Sequence, residues 1–179
     1  MALRIALVFL HGSGGSGREL RSYLEACRLS DFHGRTFRQV LDSVNIDLYT
    51  PTAPSRPYSP AAGEHMNVWF DRSYHFPREG LRSEEDHQGH ITARKFLQDY
   101  LHDINSSSAG EYDYVILGGF SMGGGLSLHG YLSPPLHPNL GAVFCIGGFL
   151  VEKSAVFMAE EKDFISNYRD IPLIMMHGK

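Results

Sequence analysis

Short apolar runs alternate with amphipathic stretches along this chain, and the order of the two predicts most of its architecture. Ile5–Leu10 is apolar at every position, without the in–out alternation of a half-exposed strand, so it reads as a parallel strand covered on both faces. Arg18–Arg28 places Leu20, Tyr23, Leu24 and Cys27 at i, i+3, i+4 and i+7, an amphipathic helix. Leu29–Phe37 is polar and carries His33-Gly34, so it reads as loop; Val40–Val44 fits either a short helix or a connection. Asn45–Tyr49 is a second strand, closed by Thr50-Pro51. His87–Asn105 is the clearest helix, with Ile91, Phe96, Leu97, Tyr100, Leu101 and Ile104 as its apolar stripe and Glu84-Glu85-Asp86 at its N-terminal end, where acidic groups suit the macrodipole. Tyr114–Leu117, Gly141–Ile146 and Pro172–Met176 read as further strands, and Val156–Tyr168 as a helix of mixed polarity. Strands and helices in alternation predict one α/β domain over residues 1–179, a doubly wound and mostly parallel sheet with helices on both faces.

Between the second strand and the long helix the pattern breaks. Pro51, Pro54, Pro57 and Pro60 exclude a helix or a central strand and leave an ordered surface loop. It leads into the aromatic cluster Val68-Trp69-Phe70, whose residues either cap the sheet or wall a pocket, with Trp69 as a candidate substrate contact.

Composition narrows the classes. With 42% apolar and 20% charged residues over 179 positions, the chain is long and apolar enough for a substantial core. A net charge of −4 gives no basic footprint for nucleic acid or anionic lipid. Ten histidines are scattered without ligand spacing, so neither a metal nor another cofactor is expected. Two cysteines make no disulfide framework, and Ala2–Leu10 runs into His11-Gly12 without a cleavage site, so it reads as strand. No run approaches the roughly 20 apolar residues of a bilayer span. The expectation is a cytoplasmic protein without a stable membrane anchor.

The chemistry concentrates in Gly119-Phe120-Ser121-Met122-Gly123, which fits the G-x-S-x-G nucleophile elbow and stands where a strand should end and a helix begin. Such a turn strains the serine and presents its hydroxyl outward, while the first helical N–H groups face it. Ser121 is the candidate nucleophile. A serine also needs a base and donors for the oxyanion. The Met122 amide is one candidate donor. The His11-Gly12-Ser13-Gly14 turn at the end of the first strand resembles the loop that supplies a second, which would be the Ser13 amide. The same loop carries Gly12-x-Gly14-x-x-Gly17, but Tyr49 and Thr50 stand where a dinucleotide site needs an acid at the end of the next strand. His11 itself reads as a structural histidine holding the loop. A base is harder to nominate: among later histidines, His129 falls on the elbow helix, His137 between prolines and His177 at the end of the last strand.

Taken in order, His11–Gly14, Tyr49–Pro54, Asn67-Val68-Trp69-Phe70-Asp71-Arg72 and Gly118–Gly124 resemble the acyl-protein thioesterase and lysophospholipase family of small serine hydrolases. The resemblance covers most of the chain. It implies an α/β-hydrolase fold, cytosolic esterase or thioesterase activity through an acyl-enzyme on Ser121, and an oxyanion hole from Ser13 and Met122. Short-chain acyl esters are the implied substrates, and some members remove palmitate from protein cysteines. It also implies a catalytic Asp and His beyond Met175-Met176-His177-Gly178, so the domain is expected to be clipped at its C-terminal end. The alternative expectation is a catalytically impaired short form that binds acyl groups or a partner.

Overall fold

A computed structural model describes residues 3–72, 85–107, 112–132, 138–151, 154, 156 and 170–178. Five strands form one parallel sheet: β1 (Ile5–Leu10), β4 (Ile46–Tyr49), β7 (Tyr114–Phe120), β8 (Leu140–Ile146) and β9 (Leu173–Met176), in the order β4-β1-β7-β8-β9. Helices α1 (Gly17–Ala26), α2 (Phe37–Ser43), α3 (His87–Ser107) and α4 (Met122–Leu132) connect them. β1 shows why its sequence had to be apolar throughout. Ala6, Val8 and Leu10 pack into a core shared with Leu97, Leu101 and Leu126 of α3 and α4, while Leu7 and Phe9 meet Leu24 and Leu41 of α1 and α2. Helices thus cover both faces, as a doubly wound sheet requires.

The structure corrects or resolves four local readings. The stretch from Leu29 to Phe37 is not loop: β2 (Arg28–Leu29) and β3 (Arg35–Thr36) pair antiparallel, with His33 and Gly34 both in left-handed backbone at the turn. The ambiguous segment after it is helical because Thr36 and Gln39 form a capping box, each side chain satisfying the other's backbone N–H. In α3 the inward stripe begins at His90 and Ala93, while Ile91 is 60% exposed. The proline loop contains a two-stranded antiparallel ribbon, β5 (Ser55–Tyr58) with β6 (Glu64–Asn67), which tolerates Pro57 because it has no third strand. The helix expected over 156–168 lies, but for Val156, outside the described residues.

Sheet order sets up the site. β1 and β7 are neighbours in register, Leu10 opposite Gly119, so the loops leaving both strands emerge side by side at the carboxyl edge of the sheet. β7 runs on through Gly118 and Gly119 rather than stopping there. The Phe144 ring of β8 lies where a Cβ on Gly118 would be, 2.1 Å away.

Candidate active site

Ser121 holds φ +53°, the left-handed region that an L-residue enters at a cost. The turn is enforced from both sides. Its N–H donates to the Ile146 carbonyl at 2.8 Å, and its carbonyl accepts from Gly125 N–H at 3.0 Å, the first turn of α4. A side chain on Gly119 would lie 2.3 Å from the Gly123 backbone, and one on Gly123 would lie 2.4 Å from the Leu10 carbonyl. Both elbow glycines are therefore demanded by packing. α4 is buried from Met122 through Gly130, consistent with a helix that is apolar on every side.

The loop after β1 is pinned rather than flexible. His11 donates from Nδ1 to the Gly12 carbonyl at 2.6 Å and accepts at Nε2 from Ala53 N–H at 2.9 Å. Those partners define a neutral imidazole, and burial pushes its pKa below the ordinary value. Gly14 N–H donates to the Asn67 carbonyl at 2.9 Å, and the Asn67 amide donates back to Gly15 at 3.2 Å. Trp69 donates its indole N–H to the His11 carbonyl at 2.8 Å. The glycine at 12 then lets the loop touch the elbow, since a Cβ there would sit 3.3 Å from the Ser121 Cβ. Ser13 follows Gly12 in this loop and Met122 opens α4, so both expected amide donors come from the two segments that frame Ser121.

Ser121 and Met122 line a narrow cleft of about 40 Å³ whose walls include Phe70, Gly125, Phe149 and Leu150. Ser13 does not line it; that residue borders a second, apolar hollow with Leu20, Tyr23, Phe37 and Phe120. Trp69 does not line the cleft either. It is fully buried, packed against His11 and Phe96 beneath the loop.

Sequence reasoning missed the far end of the cleft. Glu85, His90 and His129 converge there, all with side chains less than a tenth exposed. Glu85 sits 2.7 Å from His129 Nε2 and accepts from Ser154 Oγ at 2.6 Å. His90 is stacked between Phe70 and His129, both ring centroids 3.8 Å away, and its pKa is pushed down to about 3 by burial and then by His129. Asp86 accepts from Gly89 N–H at the start of α3 and from Asp71 N–H, tying the helix to the segment after Trp69. These residues are far apart in sequence, and nothing in their spacing signals the encounter. Glu85, His90 and His129 are the described groups that could approach a metal ion together. Their ligand atoms lie within 4.8 Å of one another.

Two of the three histidines that follow Ser121 in the sequence are committed elsewhere. His129 serves Glu85 and Ser154, and His177 Nε2 contacts the Gly148 carbonyl at 2.6 Å. His137 lies outside the described residues.

Residues 3–179 match the profile of a phospholipase/carboxylesterase family. Lysophospholipase-like protein 1 of Mus musculus is 33% identical over 177 residues, covering 97% of this chain. Acyl-protein thioesterase 1 of Neurospora crassa is 29% identical over 174 residues, covering 96% of it. The chain spans 64% of the length of either relative. The crystal structure of Zea mays acyl-protein thioesterase 2 superposes with a TM-score of 0.67 at 23% identity, over 100% of this chain and 72% of that one, and bears out the fold.

Proposed function

Because the chain belongs to the phospholipase/carboxylesterase family, we propose that it hydrolyses carboxylic esters or thioesters through an acyl-enzyme on Ser121. One observation carries the reading: Ser121 is held at φ +53° on a glycine-enforced elbow that opens into a cleft. Attack by Ser121 Oγ on the carbonyl carbon forms a tetrahedral oxyanion, which the Ser13 and Met122 amides receive. Collapse breaks the ester or thioester bond and expels the alcohol or thiol with the proton that Ser121 gave up; water then cleaves the acyl-enzyme, releasing the acid and returning a proton to Ser121. Trp69 contributes through the loop: by fixing the His11 carbonyl it orients the strand end from which the Ser13 amide is presented.

Short-chain acyl esters fit a cleft whose apolar walls give way to Glu85, His90 and His129. S-palmitoylated protein cysteines are the longer-chain substrates that the thioesterase relatives bring into the proposal, and the cytoplasm is the compartment proposed. Among the described residues no helix is long and apolar enough to cross a membrane.

The commitments of His11, His129 and His177 favour a second reading, in which the elbow is formed but idle and the chain binds acyl groups or a partner. In that reading turnover is about 10⁶ below that of a complete triad, leaving on the order of 10³–10⁴ over water from the oxyanion hole and binding. A fluorophosphonate probe separates the two. Labelling of the folded 179-residue chain that disappears in Ser121→Ala supports an activated serine; no labelling of the folded chain overturns it in favour of binding.

A further inference from the structure

Three glycines in a row follow Met122, and the third is the least crowded of them. A side chain on Gly123 would lie 2.4 Å from the Leu10 carbonyl, and one on Gly124 would lie 2.9 Å from Cys145 Sγ and 3.0 Å from the Gly119 carbonyl. At Gly125 a Cβ meets only the Phe149 carbonyl at 3.1 Å and the tip of the Phe70 ring at 3.8 Å. The backbone there is ordinary helix, where alanine is the preferred residue and glycine the weakest short of proline. What the missing side chain leaves is space in the cleft. Ser121, Gly125 and His129 follow one another at i, i+4 and i+8, so all three line the same cleft, which runs about 12 Å along the helix from Ser121 to His129.

We propose that Gly125 is the specificity-determining residue of this cleft, the open gate between Phe70 and Phe149 through which a short acyl chain passes from Ser121 toward His129. The inference rests on reading the cleft as the acyl subsite. Beyond the gate stand Glu85, His90 and His129, buried and polar, against which further methylenes gain nothing. The preferred substrates are then esters or thioesters of acyl groups long enough to cross Gly125 and short enough to stop before His129. A methyl group at 125 narrows the passage and leaves the carbonyl position beside Ser121 untouched, so it discriminates by chain length alone.

The test is noncovalent and needs no turnover. Acetamide, butanamide and hexanamide are titrated into the full chain and into Gly125→Ala, following backbone amide shifts. Hexanamide is expected to bind the unmodified chain and to weaken about tenfold or more in the variant, while acetamide stays the same and the melting temperature does not fall. Equal hexanamide affinity in both chains, or equal weakening of acetamide and hexanamide, overturns the gate. Should Gly125→Ala not fold, the unmodified chain decides. Nuclear Overhauser contacts from the hexanamide methyl to Gly125 Hα and the Phe70 ring support the gate. Contacts confined to the hollow around Tyr23 and Phe37, or no binding, overturn it. Absent fluorophosphonate labelling with length-selective binding intact would sink the hydrolase reading and leave the gate standing; labelling with unselective binding would do the reverse.

Discussion

Trp69 donates its indole N–H to the carbonyl of His11 across 2.8 Å, with both residues buried. The tryptophan lies 58 positions further along the chain, yet this bond fixes the backbone at His11, where β1 ends and the loop that carries Ser13 begins. Trp69 therefore influences the site from beneath rather than from its wall.

Replacing the indole with a phenyl ring keeps most of the packing and removes the donor. Trp69→Phe should cost about 1–3 kcal/mol, because the His11 carbonyl is left buried without that partner. Urea unfolding measures the loss, and fluorophosphonate labelling of Ser121 should slow in the same variant. A stability drop with an unchanged labelling rate would separate Trp69 from the oxyanion loop.

The strained turn at Ser121 makes an opposite prediction. Glycine enters the left-handed region freely, so Ser121→Gly should stabilise the chain by roughly 1–2 kcal/mol in denaturant midpoint while abolishing any labelling. Ser121→Ala also loses labelling but retains the strain, and should not gain stability. Equal midpoints for the Gly and Ala variants would show that the elbow stores no such cost.

Much of this was legible in the sequence, for physical reasons. A central strand of the parallel sheet is buried on two faces and so reads as a continuous apolar run; Ile5–Leu10 was recognisable for that reason, whereas β9 is just as apolar yet exposed at Ile174, Met175 and Met176. The elbow was legible because two glycines, each demanded by packing, flank the serine within five residues. The Leu29–Phe37 hairpin was not, since two-residue strands carry no periodicity. The Glu85–His90–His129 cluster was invisible because it depends on how α3 packs on α4, and the choice between Trp69 as a cap and Trp69 as a pocket wall stayed open because an aromatic near a pocket looks alike whether it lines or supports it.

Gly123 and Gly125 offer a contrast within one helical turn. Gly123→Ala drives a Cβ to 2.4 Å from the Leu10 carbonyl, a backbone atom that cannot step aside cheaply, and should destabilise by about 1–3 kcal/mol or more. Gly125→Ala asks the Phe149 carbonyl to yield a few tenths of an ångström and gains helix propensity of up to about 1 kcal/mol. Thermal melts of the two variants should move in opposite directions. A common direction would mean that α4 can slide to accommodate either methyl.

Acid should weaken the fold through its buried histidines. Burial lowers the pKa of His11, and burial together with His129 lowers that of His90 to about 3, against an ordinary 6.5. Above 6.5 both states are neutral at these positions and no stability depends on them. As the pH falls below 6.5, the unfolded chain takes up protons that the folded chain refuses, so stability declines steadily toward the folded pKa. Around His90 the charged neighbours are Glu85, His129 and His87; Glu85 opposes the depression and the two histidines reinforce it. His90→Phe keeps a ring between Phe70 and His129 and removes the titrating group. Urea midpoints at about pH 7.5 and about pH 5 should therefore fall less in the variant than in the parent chain. An identical fall in both would assign the acid sensitivity to His11 or to other groups, and would mean that His90 accepts its proton in the folded state as readily as in the unfolded one.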